Sequence, residues 1–353
     1  MSNSRYLSIL NEIKKKGGSV NFQNTNKKVL IVDGLNTFIR VFSVMPTLNE
    51  NGVHVGGIVG FLKSIGFAIN MFNPTRVIIV FDGKGGSNRR RKLYSDYKNK
   101  RRTSYRVNRV AGLENVEDER RNMYLQLRRV AEYLELLPVT NISVDGIEAD
   151  DAIAYIAKSV IPDGEKIIMS TDKDFLQLVS DDIKVWSPTK KKLYDREAVL
   201  EEYCVTAENF IMAKIFEGDK SDNIDGVKGI ATKTLVKNIP TLGEENNSYS
   251  LQEIYKYAHK HKDDDGNFFV KILQNKKLLE RNYKLMQLED VNISASTKTK
   301  LIDTIRGPIR RLVKYKFESM FMEDRLFQNL PNVSSWLAQT FTTMDKYAEQ
   351  TDG

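Results

Sequence analysis

The chain of 353 residues reads as an α/β fold, a mostly parallel, twisted sheet flanked by helices, with a helical C-terminal subdomain. Three observations predict this. Short, nearly all-apolar runs of strand length stand at Lys28-Val29-Leu30-Ile31-Val32, Val77-Ile78-Ile79-Val80-Phe81 and Lys166-Ile167-Ile168-Met169-Ser170, as in strands covered on both faces. Stretches with helical spacing separate them, the alternation of a parallel sheet. Beyond Trp186-Ser187-Pro188 the sequence becomes mostly helical.

Composition, 41% apolar and 28% charged, is that of a soluble globular protein, and the length allows one large domain or two ordinary ones. No apolar run approaches the ~20 residues that span a bilayer. Met1-Ser2-Asn3-Ser4-Arg5 lacks the basic-then-apolar start of a secretory signal, so no membrane partner is expected. The single cysteine, Cys204, excludes an internal disulfide, suits a reducing cytoplasm and is read as a packing residue. The net charge of +8 is concentrated: from Arg89 to Arg109 there are ten Lys or Arg and one acid, Asp96. The remainder is close to neutral. Tyr94, Tyr97 and Tyr105 interleave this block, which suits gripping phosphates and stacking bases of a single strand.

Taken in order, residues 1–27 form a polar extension with one helical candidate at Tyr6, Leu7, Leu10 and Ile13. The first strand ends at Asp33-Gly34 and the second at Asp82-Gly83, with helical spacing between them at Phe61, Leu62, Ile65, Ile69 and Phe72. A helix from about Glu117 to Leu136 follows the basic block. A short strand, Asn141-Ile142-Ser143-Val144, precedes Glu148-Ala149-Asp150-Asp151, which opens an apolar helix. Acids suit any first helical turn, so this stretch alone decides nothing. The next strand ends at Thr171-Asp172-Lys173-Asp174, and the helical part carries Gly218-Asp219-Lys220-Ser221-Asp222-Asn223. Gly226-Val227-Lys228-Gly229-Ile230-Ala231-Thr232-Lys233 is a glycine-punctuated turn opening a helix, a place where backbone amides meet phosphate. Asp263-Asp264-Asp265-Gly266-Asn267 lacks the spacing and distal Glu of a calcium loop and is read as a solvated turn. His54, His259 and His261 form no ligand set and are read as surface residues. The stretch from Arg310 to Lys316 is a candidate contact for nucleic acid or a partner, and 336–353 is read as a frayed polar tail.

The acids at strand ends carry the chemistry. In open α/β sheets ligands bind outside the carboxyl ends of the strands, where Asp33, Asp82, Asp172 and Asp174 arrive. If these converge with Glu148, Asp150, Asp151, Asp219 and Asp222, repulsion of roughly 4 kcal/mol per pair at ~4 Å demands counter-cations. An all-oxygen donor set without His or Cys favours Mg²⁺ or Mn²⁺ over zinc. So many acids suggest two ions, and beside a basic aromatic block they point to phosphodiester cleavage.

On Val32-Asp33-Gly34, Phe81-Asp82, Leu93-Tyr94-Ser95-Asp96-Tyr97-Lys98-Asn99-Lys100-Arg101, Glu148-Ala149-Asp150-Asp151, Ser170-Thr171-Asp172-Lys173-Asp174-Phe175 and Gly218-Asp219-Lys220-Ser221-Asp222-Asn223, the chain resembles the phage and bacterial 5′ nuclease (flap endonuclease) family. Within it, the T-even-phage type of ribonuclease H is most similar. The resemblance implies a PIN-like nuclease domain over 28–205 with a basic helical arch at about 84–136, and a duplex-binding helical subdomain over 206–335. It implies that Asp33, Asp82, Glu148, Asp150 and Asp151 serve mainly one metal and Asp172, Asp174, Asp219 and Asp222 the other. Lys98 and Arg101 match a basic pair at the arch foot, where with Asp150 and Asp172 they are the expected catalytic set. Arg90 matches a further phosphate contact and Tyr97 an arch aromatic that stacks on a base. Gly226, Lys228, Gly229, Thr232 and Lys233 match the hairpin that holds the duplex backbone, often with a monovalent cation such as K⁺. Ala231 and Asp225 depart from the family's glycine and proline, which leaves that cation open.

The expectation is a monomeric, cytoplasmic, metal-dependent 5′→3′ exonuclease and flap endonuclease acting on duplex DNA and RNA–DNA hybrids. The implied role is removal of RNA primers in phage replication inside an infected bacterium, alongside a single-strand binding protein and a sliding clamp. Two rivals stand: a PIN-like ribonuclease for single-stranded RNA, and a structure-specific binding protein without activity.

Overall fold

The computed structural model describes residues 27–99, 108, 110, 113, 115–245, 247–264, 266–291 and 293–351, the last three for their backbone. The expected N-terminal helix, Arg101 and Tyr105 lie outside them. Five strands run parallel: β1 (Lys28–Asp33), β2 (Arg76–Asp82), β3 (Thr140–Val144), β4 (Glu165–Met169) and β5 (Ile183–Ser187). The antiparallel edge strand β6 (Lys192–Tyr194) completes the order β3-β2-β1-β4-β5-β6. The middle residues of the central strands are apolar because both faces are covered. The pleat sends Val29 and Ile31 into one core, and Leu30 and Val32 into the other.

The helices are α1 (Gly34–Val44), α2 (Gly56–Phe72), α3 (Asn88–Leu93), α4 (Val116–Leu134), α5 (Ala149–Tyr155), α6 (Arg196–Tyr203), α7 (Phe210–Glu217), α8 (Thr232–Asn238), α9 (Leu251–Lys260), α10 (Phe268–Gln274), α11 (Lys276–Met286), α12 (Ala295–Arg306), α13 (Lys314–Glu323) and α14 (Val333–Thr351). A two-strand ribbon, β7 (Gly218–Asp219) with β8 (Ile224–Asp225), follows α7. The sheet core on the side of α5 continues into α7 through α12. The other core joins α1, α2 and α4 to α13 and α14. Among the described residues no helix is long and apolar enough to cross a membrane.

Three expectations change here. Of the expected frayed tail over 336–353, the described part is helix instead: α14 runs to Thr351, and Leu337, Phe341 and Met344 are buried against Phe317 and Phe321. Those apolar residues recur at helical spacing among polar ones, so a narrow stripe docks although the composition is polar. The chain therefore leaves the helical subdomain after α12 and returns to the sheet. His54 is no surface residue; it is 3% exposed, its Nε2 donates to the Met45 carbonyl at 2.8 Å and its Nδ1 lies 3.0 Å from the Asn122 side chain. Cys204 is exposed at the left-handed C-cap of α6 (φ 58°).

Candidate active site

Strand order reverses at β1, whose neighbours β2 and β4 lie on opposite sides. Such a switch point opens a crevice at the carboxyl ends of the strands. Asp33 ends β1 and caps α1, accepting from the Asn36 amide at 3.2 Å and from Ser170 Oγ at 2.9 Å. Asp82 ends β2 and accepts from the Ala149 amide at 2.9 Å, tying that strand to the acidic first turn of α5. Asp172 follows β4 and accepts from the Asp174 amide at 2.9 Å. Asn36 fastens the two ends together, its Oδ1 accepting from the Thr171 amide at 3.1 Å and hydroxyl at 2.9 Å.

These turns bring Asp33, Asp82, Asp150 and Asp172 to one cleft of about 320 Å³, into whose wall Lys98 and Arg40 also project. Burial, then repulsion from Asp172 and Asp82, pushes the Asp33 carboxyl up to about 7 against its hydrogen bonds. Burial and repulsion from Asp172 and Asp33 raise Asp150 well above the usual range. The cleft thus holds more negative charge than it compensates. A second cleft, about 600 Å³, shares Asn36, Thr171 and Asp172 and continues past Lys173, Lys214 and Asp219 to Thr232.

Four of the remaining acids have protein cations of their own. Glu148 accepts from Arg90 and Lys98, and from the Tyr97 hydroxyl at 3.2 Å. Burial would raise its carboxyl, but Arg90 and Lys98 hold it below the usual range. Asp151 is gripped by both Arg90 terminal nitrogens, at 2.8 and 2.9 Å, with Arg89 at 3.2 Å. Asp174 and Asp219 share the Lys214 ammonium, at 2.8 and 3.0 Å. Burial, then repulsion from Asp172, still lifts Asp174 to about 7. Asp222 is partly buried, and its carbonyl accepts from the Lys98 amide at 2.9 Å.

Two assignments are corrected. Arg90 is not placed to meet a phosphate: it is 3% exposed, paired to Glu148 and Asp151, and its Nε donates to the Leu285 carbonyl of α11 at 2.7 Å. Tyr97 offers no free ring face for a base. It is 3% exposed within the core, with the Lys98 ammonium 4.9 Å from its ring centre. Both follow from one cause, since a buried carboxylate needs donors and ion pairs around it. The basic block supplies them inward as well as outward.

Gly226 packs so tightly that a Cβ would lie 2.3 Å from the Glu217 carbonyl oxygen, and Gly229 adopts φ +83°. Val227 and Ile230 turn inward while Lys228, Gly229 and Lys233 face solvent, and Thr232 Oγ1 donates to Glu217 at 2.6 Å. Lys214 was not foreseen. Its only signal in sequence is a single cation within the apolar run Ile211 to Phe216, one helical turn before Gly218-Asp219.

The donors suit a hard divalent cation, being carboxylate oxygens, among which Asp33 and Asp150 are raised by burial and by neighbouring acids. Among the described residues no three acids close on a single point, so water or substrate oxygens would complete the shell, as magnesium prefers.

Comparisons with known proteins agree with this architecture. Residues 28–204 match the family described as 5′-3′ exonuclease, N-terminal resolvase-like domain. A 5′-3′ exonuclease of Bacillus subtilis is 34% identical over 221 residues, covering 60% of this chain and 69% of that protein. One from Aquifex aeolicus is 28% identical over 304 residues, covering 85% and 94%. Among solved structures, the zinc-bound bacteriophage T5 5′-exonuclease superposes with TM-score 0.60 at 21% identity, covering 84% of this chain and 98% of that one; this likeness concerns the fold. With half of its length matched by the family model and a relative 34% identical over 69% of that protein's length, the chain belongs to the 5′-3′ exonuclease family of nucleases.

Proposed function

We propose that this protein is a metal-dependent 5′→3′ exonuclease and flap endonuclease that hydrolyses phosphodiesters of duplex DNA and RNA–DNA hybrids at a 5′ end or flap. One observation carries the reading: four acids from four separate segments face a single cleft at the strand ends, with charge left to neutralise. Asp33, Asp82, Asp150 and Asp172 would surround one Mg²⁺ (or Mn²⁺), and Asp172, Asp174 and Asp219 a second, some of them through bound water. Bound there, the ions would lower the pKa of a coordinated water and neutralise phosphate charge. Lys98 projects into the same cleft, where its ammonium stabilises negative charge that grows on the phosphate during in-line displacement. Arg101 belongs to the same proposed pair. Glu148 and Asp151 act as positioning groups, holding Lys98 and the α3 segment against the cleft. The turn from Gly226 to Lys233 offers amides, Thr232 and two outward lysines to the duplex backbone.

Removal of RNA primers during phage replication in an infected bacterium, with a single-strand binding protein and a sliding clamp as partners, is the role this activity would serve. Product mapping on a labelled 5′-flapped RNA–DNA hybrid, with and without magnesium, tests the reading. Release of short 5′ fragments at the junction, only with metal, is expected. Metal-dependent cutting of unpaired RNA regardless of the junction would instead support the single-strand ribonuclease, and no cutting under any condition the binding protein.

A further inference from the structure

The two groups of acids are not neutralised alike. Among the described residues, no ion pair reaches Asp33, Asp82, Asp150 or Asp172 in the first cleft. In the second, the Lys214 ammonium stands between Asp174 Oδ1 and Asp219 Oδ2, at 2.8 and 3.0 Å, with its side chain 13% exposed. The other Asp219 oxygen accepts from the Ser221 amide at 2.8 Å and hydroxyl at 2.6 Å. The carboxylate is thereby turned so that its free oxygen faces Nζ. Lys214 leaves the last turn of α7, whose Ile211, Met212, Ala213, Ile215 and Phe216 are buried. That packing anchors the helix, so the lysine stem has one direction to extend, along the wall of the larger cleft.

We infer that Lys214 is a built-in counter-cation of the second acidic group, and that its ammonium competes with a divalent ion for Asp174 and Asp219. This rests on the divalent-ion reading proposed above. A monovalent group tethered between two carboxylates occupies the place where an ion would bridge them, and it cannot diffuse away. The second ion must displace it, whereas the first cleft asks for no such exchange. The two sites would therefore load in sequence as metal rises, and the metal-free protein keeps its second group neutralised and folded.

The test is a titration of the whole chain with manganese chloride, without nucleic acid, counting bound ions by electron paramagnetic resonance and calorimetry. Wild type should bind one ion tightly and a second weakly. Lys214→Met should leave the first unchanged and bind the second at least ten-fold tighter, a difference of about 1.4 kcal/mol. Lys214→Arg should keep the weak second site. In metal-free buffer Lys214→Met should melt below wild type and recover when manganese is added; Lys214→Gln serves if the methionine variant does not fold. Two ions bound with affinities blind to the residue at 214, or a weaker second ion in the variants, overturn the inference alone. No manganese bound by any of the proteins removes the divalent-ion reading and the inference together.

Discussion

Asp150 and Asp172 face the same cleft from different segments, and burial together with the Asp172 charge penalises ionised Asp150. Asp150→Asn or Asp172→Asn should lower turnover by at least about 10²-fold, while duplex binding in a gel-shift assay stays within a few-fold. Cleavage at the wild-type rate would take that residue out of the mechanism. Arg90 works differently, through Glu148 and Asp151. Arg90→Met takes from two buried carboxylates the cation they share, leaving Glu148 with Lys98 and Asp151 with Arg89, which costs about 3 kcal/mol. Urea unfolding should show that loss at pH 7 and a smaller one at pH 5, where protonation relieves the two acids. Proton linkage in the metal-free wild type also has a definite sign. Asp33 and Asp174 are raised from 3.8 to about 7, so their contribution is complete at low pH and is lost as pH climbs through 7. Glu148 and Asp219 are depressed, so theirs is already complete above pH 5. Melting in a chelator should fall between pH 5 and pH 8; a flat profile would show those two carboxyls ionised throughout.

At the scale of elements, α14 is the least expected and the most easily tested. Its stripe of Leu337, Phe341 and Met344 covers Phe317 and Phe321, and Trp336 lies edge-on to Phe341 with ring centres 5.4 Å apart. Phe341→Ala should destabilise the protein by about 3–5 kcal/mol, read by chemical denaturation, with the acidic cleft unaltered. A frayed tail would tolerate the change within a few tenths of that. Helix α11 has a comparable structural role on the other face. Its Leu285 carbonyl accepts from Arg90, its Met286 carbonyl from Gln177 Nε2 at 3.1 Å, and its Asn282 donates to the Ile215 and Asp225 carbonyls at 2.9 Å each. Gln177 also donates to the Asp174 carbonyl at 2.8 Å. The last turns of α11 thus brace the segments that carry both acidic groups.

For the whole molecule, charge separation is the governing feature among the described residues: an acidic crevice at the strand ends with Lys98 at its wall, exposed Arg91 and Lys92 on α3, and outward lysines on the turn before α8. Nucleic-acid binding should weaken steeply with salt. Lys228→Ala and Lys233→Ala should each reduce the slope of log K against log salt by about 0.9, equally for different duplex sequences. Slopes unchanged in both variants would move the duplex away from this turn.

How far the sequence alone reaches is clear from particular residues. Strand runs ending in Asp33, Asp82 and Asp172 announce a parallel sheet and the edge where its ligand binds, because period and position are local properties. The turn from Gly226 to Lys233 is legible for the same reason, with Gly229 at positive φ as its glycine suggests. Direction is not local. Arg90 and Leu285 meet across 195 positions, Tyr97 and Glu148 across 51, and no pattern near Arg90 or Tyr97 says that they turn inward. Only the folded chain decides which cation neutralises which acid, because ion pairing depends on distance and burial in space, whereas composition and spacing report only what is available to pair.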